Sequence, residues 1–344
     1  MAAGFVERVW FGRDPIARAG RTVLAPLGWL YGIGVGVRNT LYDRGLLQAT
    51  ALALPAVSVG NVTVGGTGKT PIAAELARRL LERGARPAIV LRGYGADEPL
   101  VHQRLNPAAV VVVAADRVAG ALEARRRGAD VVVLDDALQH RRAQRLGEVV
   151  LVSADRWTAD PRRLLPAGQW REPIGALRRA SLVVVTAKAT GRDVVADVVR
   201  ACRGVAPGVP VAVAALVPGE LRATAGAERQ PLATLRGRRV LAVAAVADPS
   251  SFERQLAAAG ALVELRRFPD HHHFTARELA ALAQAAARAD IVVCTLKDAV
   301  KLAPVWPRAS APLWYVSQAV ELREGEAEVD RLLDRLLAAR PTLT

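Results

Sequence analysis

The residues with the clearest capacity for chemistry lie between Val57 and Pro71. There Val57-Ser58-Val59-Gly60-Asn61-Val62 runs into Thr63-Val64-Gly65-Gly66-Thr67-Gly68-Lys69-Thr70-Pro71. An apolar strand, a glycine-rich turn, Gly-Lys-Thr and an Ala/Leu/Arg helix follow one another in the order that lets loop N–H groups fold around phosphate oxygens. The helix N-terminus adds a favourable dipole. In such a loop the stretch Thr63–Thr70 cradles a nucleotide's phosphates, Lys69 reaches the β- and γ-phosphates, and the Thr70 hydroxyl ligates Mg²⁺. The common spacing asks for glycine five positions before Gly68, where this chain has Thr63. The loop is therefore a variant, recognised by its strand–loop–helix context.

Asp135 and Asp136 close the apolar run Val131–Leu134, so they stand at a strand's carboxyl end, the edge that faces the ligand crevice in an open parallel sheet. A carboxylate there holds Mg²⁺ directly or through water. The pair also suits the cap of a helix starting at Ala137; the metal reading is preferred because a phosphate-binding loop works with such a partner. His140, four residues after Asp136, would share a helix face with it near the nucleotide.

Other residues leave two readings open. Asp97 and Glu98 by themselves read as an exposed acidic turn. Arg171 and Glu172, beside Pro173, either touch a substrate phosphate or Mg²⁺ or form a surface ion pair. Lys297 follows a strand end and either meets a substrate phosphate or is simply exposed, and Tyr94 either packs beside the nucleotide or fills a turn. His271, His272 and His273 are consecutive, and neighbouring loop residues point in different directions, whereas ligand pairs on a helix sit at i, i+4; a zinc site is rejected. Thr186-Ala187-Lys188-Ala189-Thr190 superficially resembles a Thr-Lys-x-Asp guanine reader but lacks the acid that accepts from the guanine amino group, which argues against GTP.

The elements that must position these groups alternate. Val-rich runs at Ala56–Val62, Pro87–Leu91, Val110–Ala114, Val131–Leu134, Val149–Val152 and Leu182–Thr186 are separated by amphipathic stretches at Lys69–Arg83, Arg117–Arg127 and Asp193–Arg203. This pattern predicts an α/β fold, a mostly parallel sheet flanked by helices. A second series, Arg239–Val246, Ser250–Ala259, Leu262–Arg266, Thr275–Arg288, Ile291–Cys294 and Leu313–Val316, predicts a smaller α/β domain. Pro218–Arg238, rich in Gly, Pro and charge, reads as a linker. The expected organisation is an N-terminal helical segment over 1–50, a phosphate-binding-loop domain over 51–217, the linker over 218–238 and the smaller domain over 239–344.

The chain has 344 residues, 51% of them hydrophobic, and a formal charge of +14. Only Lys69, Lys188, Lys297 and Lys301 are lysines, and arginine is spread over most helices with no interleaved aromatic platform, so nucleic acid is not the expected partner. Attraction to anionic lipid or a phosphorylated substrate suits the charge. Cys202 and Cys294 form no Cys-x-x-Cys pattern and read as buried hydrophobes in a reducing cytosol. Thr22–Val37 is uncharged, flanked by Arg21 and Arg38, and shorter than the ~20 residues of a bilayer-spanning helix. Pro26 and four glycines weaken a straight helix there. It reads equally as a segment lying in a membrane interface, with Trp29 and Tyr31 at headgroup depth, and as an ordinary core helix.

Several blocks follow one another along the chain: Val59–Pro71, Arg92-Gly93-Tyr94-Gly95, Asp97-Glu98-Pro99, Asp135-Asp136-Ala137-Leu138-Gln139-His140, Leu164-Leu165-Pro166-Ala167-Gly168 through Arg171-Glu172-Pro173, Phe268-Pro269-Asp270-His271-His272, and Lys297-Asp298-Ala299-Val300-Lys301. The ordered set covers most of the chain and resembles the tetraacyldisaccharide 4′-kinase family of lipid A biosynthesis. The resemblance implies transfer of the ATP γ-phosphate to the 4′-hydroxyl of a tetraacyldisaccharide 1-phosphate, giving lipid IVA. It further implies Mg²⁺, two α/β domains with the site between them, peripheral or monotopic attachment to the cytoplasmic face of the inner membrane, and no obligate protein partner. By the same resemblance Asp97 takes the hydroxyl proton, Glu98 helps with Mg²⁺, and His271 partners Asp97. The chain differs from the family's usual pattern at Ala96, Ala137 and Leu296, where the family usually has Gly, Gly and Glu. The alternative reading is a membrane-associated ATPase or GTPase switch that phosphorylates no lipid.

Overall fold

Strands buried on both faces read as continuous β-branched runs, and Val131-Val132-Val133-Leu134, each fully buried, is the clearest case. The computed structural model describes residues 2–93, 95, 97–157, 162–246, 248–270 and 272–341, without the side chains of 2–5 and 7. Tyr94 and His271 lie outside the described residues.

The chain opens with α1 (Ala2–Phe11) and α2 (Pro15–Asp43), then β1 (Thr50–Ala51), β2 (Ala56–Asn61), α3 (Lys69–Glu82) and β3 (Pro87–Leu91). Next come α4 (Asp97–Leu105), β4 (Val110–Val113), α5 (Arg117–Arg126), β5 (Val131–Asp135), β6 (Ala143–Gln144) and β7 (Gly147–Ser153). They are followed by β8 (Leu182–Ala187), α6 (Arg192–Val205), β9 (Val211–Ala223), β10 (Arg229–Gln230), β11 (Arg239–Ala244) and α7 (Pro249–Ala258). β12 (Leu262–Arg267), α8 (Ala276–Ala286), β13 (Ile291–Thr295), α9 (Leu296–Leu302), β14 (Leu313–Glu324) and α10 (Glu326–Ala338) come last.

Two compact units result. The first holds residues 1–92, 108–215 and 321–344, and the second holds 93–107 and 216–320. In the first unit the strands run in the order β9-β8-β7-β2-β5-β3-β4, each neighbouring pair parallel. β2 is central: Val59 pairs with Asp135 on one side and Asn61 with Leu151 on the other. Ser153 pairs with Thr186 further along. This register brings the carboxyl ends of β5, β2, β7 and β8 to one edge. α3 covers the sheet with Ile72, Ala73, Leu76, Ala77 and Leu80, one apolar helical face.

The second unit carries the parallel order β12-β11-β13-β14, with the end of β9 beside β14 and β10 antiparallel to it. Pro218–Arg238, expected as a linker, instead contains the end of β9, β10 and a 3₁₀ turn at Leu232–Leu235. Leu221, Ala223 and Leu235 from this stretch belong to the second unit's core. The glycine that suggested a linker serves packing: a Cβ on Gly219 would lie 2.5 Å from Ser317 Oγ.

Two other expectations change. Asp97-Glu98-Pro99, which alone reads as an exposed turn, is the first turn of α4. Acidic residues complement a helix N-terminus and proline is tolerated in a first turn, so this local sequence favours the helix. No helix follows Asp136: its φ is +52° and His140 N–H closes a turn on Ala137 O at 2.9 Å. Asp136 and His140 therefore do not share a helix face.

The N-terminal segment is one helix of 29 residues that contains Pro26. Its glycines fit it to a neighbour. A Cβ at Gly28 would lie 3.3 Å from Leu164 O and Ala167 Cβ, and one at Gly32 would lie 2.7 Å from Leu164 Cδ1. Tyr31 Oη donates to Arg171 O at 3.0 Å and Asn39 Nδ2 to Glu172 at 2.8 Å along the same docking face. Val23, Leu27, Trp29, Leu30, Ile33 and Val37 are all exposed, Trp29 to 75%. Half of the helix thus packs like a core element and half presents apolar surface. Among the described residues no helix is long and apolar enough to cross a membrane.

Candidate active site

β2 delivers the chain into the phosphate loop, and tertiary contacts fix the loop's shape. Thr63 forms an isolated antiparallel bridge with Trp170, and Val64 N–H donates to Gln169 O at 2.7 Å. Asn61 Nδ2 donates to Thr67 Oγ1 at 2.8 Å, and Thr186 Oγ1, from the end of β8, donates to Thr67 O at 2.8 Å. The left-handed positions fall at Gly65 (φ +107°) and Gly68 (φ +88°). Thr63 sits in the extended bridge, so its position needs no glycine; this explains the departure from the common spacing. Gly68 is the N-cap of α3 and no side chain caps that helix. Its first-turn N–H groups therefore suit an oxyanion.

The turn after β5 packs directly on β2. A Cβ on Gly60 would fall 2.5 Å from Leu138 Cβ, so only glycine admits this approach. Gln139 Nε2 donates to Asn61 O at 3.0 Å. Within the turn Asp136 stands 3.8 Å from Lys69 Nζ and 3.0 Å from Arg171 Nη1. Asp136 thus lies between two cations beside the loop. Asp135 is buried, and its main-chain carbonyl accepts from the buried Arg117 at 3.1 Å. Burial pushes the His140 imidazole below its ordinary value, and the nearby Arg117 charge pushes the same way.

Glu172 is fully buried. It pairs with Arg179 at 2.8 Å and accepts from Asn39 at 2.8 Å and Gln139 at 3.3 Å. These partners occupy its carboxylate in joining α2 to the segment beside the loop.

The second unit carries the remaining candidates. Asp97 is the first residue of α4 and is 3% exposed, Glu98 follows it, and α4 packs against α9. Lys297 is half-buried in α9. Asp298, fully buried, accepts from Ala245 N–H at 3.0 Å and Thr295 Oγ1 at 2.7 Å, and pairs with Lys301 at 3.2 Å. Lys301 Nζ also donates to His272 O at 3.3 Å. His272 stacks on Phe268 and pairs with Glu278 at 3.0 Å. The Thr275 N–H and His272 draw the Glu278 carboxyl down to about 2.

A family model described as tetraacyldisaccharide-1-P 4′-kinase matches residues 20–99 and 96–338. The chain belongs to the tetraacyldisaccharide 4′-kinase family. It is 40% identical, over an alignment 377 positions long with gaps included, to the tetraacyldisaccharide 4′-kinase of Anaeromyxobacter sp. (strain Fw109-5), covering 98% of each chain. The enzyme of that name from Geobacter sulfurreducens is 39% identical over 327 residues, covering 87% of this chain and 90% of the relative. Among solved structures, the apo-form LpxK from Aquifex aeolicus in complex with ATP superposes with a TM-score of 0.73 at 30% identity. It covers 92% of this chain and 99% of that one.

Within this kinase fold the first unit brings together Thr63–Thr70, Asp135, Asp136 and Arg171, while Asp97, Glu98 and Lys297 belong to the second unit. The donor set fits Mg²⁺ by its chemistry: the Thr70 hydroxyl opens α3 and the Asp135–Asp136 carboxylates close β5, all hard oxygen donors. Among the described residues no cluster of three His, Cys, Asp or Glu could hold a metal alone.

Sequence reasoning missed Asp155 and Arg156. A Cβ on Gly65 would lie 2.6 Å from Arg156 Nη1, so a guanidinium occupies the space beside the loop's first left-handed glycine. Asp155 binds the chain after β8. The available signal was position alone, since both residues follow the Val149–Val152 strand at the edge where the loop begins.

Proposed function

We propose that this protein transfers the γ-phosphate of ATP to the 4′-hydroxyl of a tetraacyldisaccharide 1-phosphate, forming lipid IVA at the cytoplasmic face of a bacterial inner membrane. The observation that carries the reading is the fixed triad of Lys69, Asp136 and Arg171 beside a loop whose main chain suits a triphosphate. α2 exposes Trp29, Leu30, Ile33 and Val37 together, an apolar surface that suits a lipid interface.

In this reading the loop N–H groups and Lys69 hold the β- and γ-phosphates and neutralise charge as it shifts toward the leaving oxygen. Asp97 accepts the proton of the 4′-hydroxyl while that oxygen attacks the γ-phosphorus and the bond to the β-phosphate oxygen breaks. His271 orients Asp97. Thr70, Asp135 and Asp136 would hold Mg²⁺, with Glu98 assisting, and the ion supplies charge neutralisation on the phosphate oxygens. Arg171 holds the Asp136 carboxylate in place, and Lys297 meets the substrate's own phosphate. The exposed face of α2 rests in the lipid interface, where the acylated substrate resides.

The test is an incubation with γ-labelled ATP and an acylated disaccharide phosphate. Label in the lipid product supports the kinase reading, whereas label released only as inorganic phosphate supports the switch.

A further inference from the structure

The turn after β5 carries Asp136, Gln139 and His140 without helical structure, so its carbonyl groups have no helical ladder and must find partners elsewhere. One side chain supplies several of them. Arg145 Nη1 donates to His140 O at 2.7 Å and to Ala143 O at 3.1 Å, and its Nη2 donates to Leu138 O at 3.3 Å. The same guanidinium grips Glu148 at the start of β7, with Nε 3.1 Å from Oε2 and Nη2 donating to the same oxygen. The two side chains are only 8% and 11% exposed.

A buried ion pair is a weak device where stability alone is wanted, since packed apolar groups do as well or better. This pair is placed instead to fix geometry. Glu148 also accepts from Ser58 Oγ, and Ser58 is a fully buried residue of β2, the strand that enters the phosphate loop. Glu148 N–H donates to Ser181 Oγ at 3.1 Å and Glu148 O accepts from Ser181 N–H at 2.8 Å, which fixes the carboxylate's own main chain against the approach to β8. Three parts of the sheet thus hold one carboxylate, the carboxylate holds one guanidinium, and the guanidinium holds the turn. On its other side the turn meets the phosphate loop: Leu138 packs on Gly60, Gln139 donates to Asn61 O, and Asp136 stands beside Lys69. The carbonyls of Leu138 and His140 flank Gln139 and lie just beyond Asp136 in the chain, so releasing them frees the side chains that reach the loop.

We propose that Arg145, anchored by Glu148 and Ser58, is a positioning residue for phosphoryl transfer: it holds the turn after β5 so that the Asp136 carboxylate stays where the terminal phosphate and its Mg²⁺ are met. The proposal rests on the kinase reading above. Arg145 touches no reacting atom and acts through the turn's main chain. The role asks for a planar fork, because carbonyls and a carboxylate surround one group in different directions. Lysine would keep the charge beside Glu148 but offers one nitrogen where the guanidinium uses Nε, Nη1 and Nη2.

The test compares the full chain, unaltered and as Arg145→Lys and Glu148→Gln, by label transfer to lipid per folded molecule and by calorimetric titration of ADP with and without Mg²⁺. In Arg145→Lys kcat should fall about tenfold, and the Mg²⁺ concentration that half-saturates the ADP complex should rise about tenfold, the usual cost of losing a group that orients a metal-binding carboxylate. Glu148→Gln, which keeps an oxygen for Arg145 and Ser58, should show the same changes to a smaller degree. ADP without Mg²⁺ should bind both variants as it binds the unaltered protein, because the loop N–H groups and Lys69 are untouched. An unchanged kcat per folded molecule, an unchanged Mg²⁺ requirement, or equal weakening of ADP with and without Mg²⁺ would overturn the proposal. Failure of both variants to fold would overturn it too, by assigning the pair to stability. Absence of labelled lipid from the unaltered protein would contradict the kinase reading instead, and the Mg²⁺ titrations would still decide whether Arg145 places Asp136.

Discussion

Asp136 sits 3.8 Å from the ammonium of Lys69 while its backbone is held at φ +52°, a conformation that non-glycine residues rarely adopt. The strain is localised where the phosphate loop and the turn after β5 meet, and Arg171 binds the same carboxylate from the other side. The pair is thus set in place before a nucleotide arrives.

Arg171→Ala removes that second anchor. Asp136 should then collapse toward Lys69, and turnover should fall roughly 10–10²-fold, the cost of small misplacements in phosphoryl transfer. Stability should change little, because the pair is part-exposed. Steady-state kinetics together with thermal melting check both halves of the expectation.

Asp97→Asn tests the assigned base. Turnover should fall roughly 10²–10⁴-fold with only a modest change in ATP affinity. Unchanged single-turnover rates would move the role to another carboxylate, with Asp136 next in line.

The apolar face of α2 predicts surface binding. Replacing Trp29 and Ile33 together with serine should lower partitioning to anionic vesicles at least roughly thirtyfold, from about 2 kcal/mol of lost apolar burial. Flotation with vesicles measures this, and phosphorylation of detergent-dispersed substrate should persist in the same variant.

Glu278 gives a pH signature. Its carboxyl is held at about 2 in the folded chain, below its ordinary 4.5, so the group contributes stability above pH 4.5 that is lost as the pH falls toward 2. Denaturant titrations of the unaltered protein and Glu278→Gln should differ at pH 6 and converge near pH 2, with a small gap because the group is part-exposed.

Much of this architecture was legible in the chain. Lys69 opens α3 and Val131 opens β5 where the periodicity placed them, because a glycine-rich turn and an apolar run are local signals. Other features depend on partners distant in sequence. Pro218 and Gly219 looked like a linker because the need for a small residue against Ser317 is visible only in three dimensions. The glycines of α2 looked like helix breakers until Leu164 and Ala167 were seen against Gly28 and Gly32. Glu172 was open to a site contact or a surface ion pair, yet it is buried among Arg179, Asn39 and Gln139. Asp155 and Arg156 are ordinary residue types at a strand end, and only their contacts with Thr190 and Gly65 single them out.

The central claim is that the main chain around Gly65–Thr70, with Lys69, grips a triphosphate whose last phosphate moves to a sugar hydroxyl. Its most direct measurement is label transfer from γ-labelled ATP to the acylated disaccharide phosphate by the unaltered protein and by Lys69→Ala. The account predicts labelled lipid from the former and none from the latter, with equal folded fractions by circular dichroism. Near-normal labelling by Lys69→Ala would contradict it.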